Sequence, residues 1–232
     1  VEANNIVIKK EMTPKETIRT LLAPFRDMVW DYDKVLSQLE ESLAIKLSAV
    51  PEEKYQKPAA YIAIPTLEAS RYAADSEDLK NLYVNIMGNA MHADNAAAVH
   101  PSYIDIVKSL TPDEARLLRL FITNDAIPFI NVIKRFNKES SAYSVVLEHH
   151  LQLSQKDNIE IEVIANLPLY FNNFVRMGLL SSPEGYSLER DKYTDLENST
   201  LIKELKTSIE KTGSLFETQR RFYKITPFGR AF

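Results

Sequence analysis

The sequence predicts a mostly α protein of the α+β class, with an N-terminal helical domain followed by a C-terminal domain that mixes helices and strands. Three observations lead there. Apolar residues recur at steps of three and four through much of residues 25–110. Gly is scarce, 5 of 232 residues, which disfavours turn-dense all-β folds and Gly-rich phosphate loops. Runs of β-branched residues bounded by polar turns gather beyond Asn124.

Bulk composition narrows the function classes. The net charge of -4 gives no basic field for nucleic acid. Residues 1–110 hold 12 Lys+Arg against 16 Asp+Glu, and the remainder 16 against 16. With no cysteine, disulfides, thiolate chemistry and Cys-ligated zinc are excluded. No apolar run reaches the length of a membrane span and no signal-peptide core follows Val1, so no membrane role and a reducing cytoplasm are expected. Val1 is not an initiator Met, which leaves open residues upstream.

The N-terminal domain is expected over 1–110. Ile6-Val7-Ile8 is a short β-like run, and Thr13-Pro14-Lys15-Glu16 forms a capping box ahead of a helix; Pro24 either interrupts that helix or starts a new one. A long helix over about 25–48 carries Phe25, Val29, Tyr32, Leu36, Leu39 and Leu43 on one stripe. That stripe would serve either a homodimer or packing within the domain, and packing is favoured because it spans fewer than three heptads. Pro51, Pro58 and Pro65 mark a linker. Helices follow over about 66–73, 77–91 and 101–110. Asp75, Glu77 and Asp78 suit a helix start, and Gly88-Asn89-Ala90 would let another helix come close.

The C-terminal domain is expected over 111–232. Thr111-Pro112-Asp113-Glu114 is a complete capping box, with Leu117, Leu118, Leu120 and Phe121 behind it. Strands are expected at 127–133 and 143–147. A helix over 167–180 presents Leu169, Phe171, Phe174, Val175 and Leu179 inward, leaves Asn172, Asn173 and Arg176 outside, and breaks at Gly178. A polar insertion over about 189–211 contains a helix with Leu201, Ile202, Leu205 and Ile209. A ribbon strand over 216–225 then runs into Thr226-Pro227-Phe228-Gly229. Helix, helix, ribbon and Thr-x-x-Gly turn follow winged-helix order.

Candidate chemistry is sparse. If the second domain met DNA, the contacts would be Arg176, Arg220, Arg221, Lys224 and Arg230. The 167–180 helix is too apolar to read base edges, so a packing or protein-interaction module is favoured over DNA binding. His92, Asp94 and His100 are weak metal candidates, since no His-x-x-x-His spacing joins them. His149 and His150 are adjacent and would face opposite sides of a strand or diverge on a helix, so no shared site is expected. No nucleophile elbow, Walker loop or dinucleotide fingerprint is present, so no catalytic residue and no cofactor is nominated, and an enzyme is not expected.

Several stretches carry a family resemblance. They are Pro65 to Tyr72, Glu77-Asp78-Leu79 with Leu82-Tyr83, Ala90-Met91, Val99 to Tyr103 and Leu110 to Ala115. Upstream they include Leu22-Ala23-Pro24, Trp30-Asp31-Tyr32 and Val50-Pro51-Glu52-Glu53; downstream, more weakly, Leu179-Leu180 and Tyr223 to Phe232. Together they resemble the Abi-alpha (abortive infection alpha) family of bacterial proteins. The resemblance implies defence against bacteriophage, through a phage or host protein partner. It supplies no catalytic residues. Ile86-Met87-Gly88 stands where that pattern expects Leu-Leu-Ala, a change in helix packing only.

Overall fold

The computed structural model describes residues 32–139, 142–153 and 159–232. The chain divides into two compact units, Val1–Ser109 and Leu110–Phe232. The expected Ile6-Val7-Ile8 strand, the Thr13 box, the Pro24 break and the Phe25 and Val29 part of the apolar stripe lie outside the described residues, as do the side chains of Tyr32 and Leu36.

The first unit is helical: α1 (Tyr32–Leu47), α2 (Ala60–Ser70), α3 (Glu77–Ala90) and α4 (Ser102–Lys108), with single 3-10 turns between them. Ser76 caps α3, accepting from the Leu79 N–H at 3.3 Å. Asp75 is therefore not the cap; Glu77 and Asp78 occupy the first turn, where carboxylates meet the positive dipole end. Ile62, Ala69, Tyr83, Ile86, Met87, Tyr103, Ile104 and Val107 fill the core.

One sequence expectation fails here. The second helix does not open at Pro65 but at Ala60, with Pro65 inside it, and ends at Ser70 before the 3-10 turn Arg71–Ala73. Proline removes one helical hydrogen bond, the one to Tyr61. Tyr61 is exposed, while the buried Thr66 hydroxyl donates to the Ile62 carbonyl at 2.6 Å. Tertiary burial of Ile62, Thr66 and Ala69 thus outweighs the local helix-breaking signal.

In the second unit, α5 (Pro112–Leu117) and α6 (Leu120–Thr123) precede β1 (Ala126–Arg135) and β2 (Tyr143–His150). Then come α7 (Leu167–Arg176), β3 (Leu180–Ser181), α8 (Thr194–Asn198), α9 (Thr200–Lys211), β4 (Leu215–Ile225) and α10 (Pro227–Ala231). The strands form an antiparallel sheet in the order β2-β1-β4-β3. The expected two-stranded ribbon is reduced to the pairs Leu180–Ile225 and Ser181–Lys224. β4 instead pairs with β1 along ten residues, because the chain leaves the sheet after Ser181 for the 182–214 excursion.

β1 is central and covered on both faces. Ile127, Phe129 and Ile133 face the side of Phe171 on α7, while Ile130 and Val132 join Tyr193, Leu196, Ile202 and Ile209. The polar insertion is therefore the second cover of the sheet. Residues buried on both sides explain why β1 reads as a near-continuous apolar run.

Thr111 forms the expected reciprocal box with Glu114. α7 closes in a Schellman motif at Gly178, φ +76°: Leu179 N–H donates to the Phe174 carbonyl and Gly178 N–H to Val175. Thr226 then clasps this helix end, its hydroxyl donating to Gly178 O at 2.6 Å. A Cβ at Gly229 would lie 2.1 Å from Leu179 O, so the close approach requires glycine. Leu169, expected inward, is exposed; Tyr170 takes the buried position instead.

Candidate functional site

Asp113 and Glu114 begin as helix-start residues and end as a buried junction. The two residues are 4% and 2% exposed. Asp113 Oδ1 accepts the Glu162 N–H at 3.0 Å, and Oδ2 accepts the Val163 N–H at 3.1 Å and the Tyr170 hydroxyl at 3.0 Å; Arg116 also donates to it. Burial pushes the Asp113 carboxyl up, but these four donors outweigh it and hold its pKa at about 2. Asn173 donates to Glu114 Oε1 at 2.7 Å, so Asn173 is not simply an outward residue. Capping alone does not account for this acidic pair. Nothing in the sequence marked Glu162, Val163, Tyr170 and Asn173 as partners, which lie 49 to 59 residues away.

The sheet carries a second unusual group. β2 bulges against β1: the step from Ile133 to Val132 spans Val145 to Leu147, and Val132 to Ile130 spans Leu147 to His150. Within that irregularity His149 has φ +53°, a left-handed conformation uncommon outside glycine. Its N–H donates to Asn131 Oδ1 at 2.8 Å. Its ring stacks on Phe129 at 5.0 Å; Phe129 stacks on Tyr223 at 4.4 Å, and Tyr223 on Phe171 at 4.7 Å.

The Tyr223 side chain is fully buried, and its hydroxyl meets His149 Nδ1. A buried hydroxyl hydrogen needs an acceptor, which assigns Nδ1 that role and puts the imidazole proton on Nε2. Burial pushes the His149 pKa down; Glu148 pulls it up and Arg221 pushes it down again. Burial likewise lowers His150 and raises Tyr223. These are displaced ionisable groups of the kind active sites use. The space between them is occupied, however, by Phe129, Phe171 and Phe174, each at most 1% exposed.

The basic residues nominated from sequence do not form one surface. Arg220 and Arg221 project from opposite faces of β4. Arg220 makes a two-toothed pair with Glu197 at 2.8 and 2.9 Å, and lies 5.8 Å over the Tyr193 ring. Arg221 donates to Ser182 O at 3.3 Å. Arg176 is held on Asn173 Oδ1, Arg230 pairs with Asp125, and Lys224 is exposed near the end of β4. Arg220 and Arg230 are neutralised by carboxylates and Arg176 and Arg221 are tied to neighbouring oxygens, so this arrangement gives the DNA reading no support.

The weak metal candidates are also separate. His92 Nδ1 accepts the Asp94 N–H at 3.2 Å, and Asp94 pairs with Lys54. His100 Nδ1 lies 2.6 Å from Ser102 Oγ and accepts the Ser102 N–H. Each histidine thus bonds to its own turn. Among the described residues no group of three His, Cys, Asp or Glu side chains is placed to share a metal.

Open space does occur in the first unit. A cavity of about 200 Å³ is lined by Leu39, Glu41, Ser42, Ser70, Ala74, Glu77, Lys80 and Val84. It lies between α1, the start of α3 and the turn that follows α2. Close by, α1 and α3 touch where the Lys46 stem occupies the place of a Gly88 side chain, 2.6 Å from a Cβ there, and Lys46 Nζ donates to Asn85 Oδ1 at 2.7 Å. The close helix approach expected at Gly88 is thus present.

A sequence profile described as abortive infection alpha matches residues 31–232. The chain belongs to the abortive infection alpha family. No curated protein matches it. Among solved structures, it is similar to an uncharacterized protein from the hydrocarbon-degrading marine bacterium Alcanivorax borkumensis SK2. That likeness has 21% identity and a TM-score of 0.36, and covers 54% of this chain and 85% of the other. A likeness of that size informs neither fold nor function. As for membranes, no helix among the described residues is long and apolar enough to cross one.

Proposed function

We propose that this family member acts in the bacterial cytoplasm in abortive infection, aborting phage growth by binding a protein of phage or host rather than by a chemical step of its own. Family membership across residues 31–232 carries the reading. The protein-binding part is supported by chemistry: Asp113 and Tyr223 sit in a filled core, and each histidine among the metal candidates bonds within its own turn. The winged-helix-like order inferred for the second unit serves, in this reading, as a packing scaffold.

The test is a plaquing assay in a bacterial host expressing the full chain, against a broad phage panel, with survival of infected cells counted in parallel. Fewer plaques together with early death of infected cells is the expected result. Unchanged plaquing across the panel overturns the defence reading. Defence lost in the conservative variants His149→Gln and Tyr223→Phe, with folding intact, would instead argue for chemistry at the packed centre.

A further inference from the structure

The cavity of the first unit has a chemical character that the rest of the fold does not use. Its inner wall is apolar, with Leu39 and Val84 6% and 7% exposed and Ala74 beside them. Its mouth is acidic. Glu77 is engaged by the Lys80 ammonium, which leaves the Glu41 carboxylate without a hydrogen-bond or ion-pair partner among the described residues. Ser70 donates its hydroxyl hydrogen to Leu67 O at 2.9 Å, so on the cavity wall its oxygen can act only as an acceptor. Among the described lining residues two carboxylates stand against one ammonium, a net negative charge.

Size limits the occupant further. At about 200 Å³ the cavity is smaller than the ~300 Å³ at which pockets for drug-sized ligands begin. It suits one side chain. The contact at Gly88, where Lys46 fills the missing Cβ and bonds Asn85, fixes how closely α1 and α3 approach beside it.

We propose that this cavity receives a basic side chain, lysine or arginine, of a protein partner, with the aliphatic stem against Leu39, Ala74 and Val84 and the cationic head on Glu41. The proposal rests on the protein-partner reading above and specifies the chemistry of the contact. An acidic side chain would meet Glu41 and Glu77 with like charge. A purely apolar one would leave the Glu41 carboxylate beside a filled mouth with no counter-charge.

The experiment titrates the full-length, isotope-labelled protein with N-acetyl-lysine methylamide, N-acetyl-arginine methylamide and the uncharged stem analogue N-acetyl-norleucine methylamide. Amide shifts of Leu39, Ala74 and Val84 are followed. A cationic probe should move them saturably and more weakly at high salt. The lysine and arginine arms show which head is preferred. Glu41→Gln should weaken the binding about fivefold, the scale of one partly exposed ion pair, while Glu53→Gln should leave it unchanged. Equal shifts with norleucine, no shifts with either cation, or native affinity in Glu41→Gln would each overturn the assignment. Plaquing separates the two readings: shifts without defence remove the defence function, and defence without shifts removes the cavity contact alone.

Discussion

In the second unit, Asp113 and Tyr223 are buried and His149 is half-buried, and their protonation is displaced from its usual range, but Phe129, Phe171 and Phe174 occupy the space between the sheet and α7. In the first unit Glu41 is exposed, yet it borders a cavity of about 200 Å³. The contrast teaches that a displaced pKa reports burial and hydrogen bonding, whereas binding needs room as well as charge.

The contrast can be broken most forcefully at Asp113. Asp113→Ala leaves the Glu162 and Val163 N–H groups and the Tyr170 hydroxyl without their acceptor, and takes one carboxylate from Arg116, which keeps Glu162 at 2.9 Å. We expect a loss of about 3–5 kcal/mol in urea unfolding. A loss below about 1 kcal/mol would mean that the junction is not structural. The native carboxyl titrates at about 2, below its unfolded value of about 3.9. Its contribution is therefore complete above pH ~3.9 and lost as pH falls towards 2, so Asp113→Ala should also flatten the acid limb of the stability curve.

A smaller effect is expected at His149. Its folded pKa is depressed, as is that of His150, so both contribute stability that is present above the unfolded pKa of about 6.5 and lost as pH falls below it. Unfolding measured from pH 8 to pH 5 should show this decline, and His149→Gln should reduce it without abolishing it, because His150 remains. An identical profile in the variant would show that His149 is solvated as in the unfolded chain. At neutral pH, His149→Ala should cost about 1–3 kcal/mol by stranding the Tyr223 hydroxyl.

The smallest effect sharpens the other side of the comparison. Gly88→Ala gains about 1 kcal/mol of helix propensity, but its Cβ would displace the flexible Lys46 stem and weaken the bond to Asn85. Near-neutral stability is expected, with amide shifts confined to α1 and α3. A large loss would show that these helices cannot adjust beside the cavity.

Much of the framework was legible because its signals are local. Thr111 and Glu114 are three residues apart and form their box as expected, and Gly178 and Gly229 mark backbone positions that exclude a Cβ or favour positive φ. The β-branched runs at 127–133 and 143–147 became strands. What escaped was set by distant partners. Pro65 lies within a helix because Ile62, Thr66 and Ala69 are buried around it. Leu169 is exposed because Tyr170 reaches Asp113 across the unit. Arg220 and Arg230 looked like a basic cluster until Glu197 and Asp125 were placed beside them. An empty volume has no sequence signature at all, although Gly88 did announce the helix contact next to it.

The pairing of β1 with β4 bears on how the protein is made. Arg135 and Glu217, bonded across that ladder at 2.9 Å, are 82 residues apart in the chain. On the ribosome, β1 and β2 emerge long before β4, so the central strand waits with one edge unpaired while α7, α8 and α9 are still being synthesised. Contacts this distant in sequence form slowly and leave apolar strand edges open to aggregation. The second unit should therefore acquire protease resistance only once Leu215–Ile225 has cleared the exit tunnel, whereas the first unit, closed by neighbouring helices, needs no such delay.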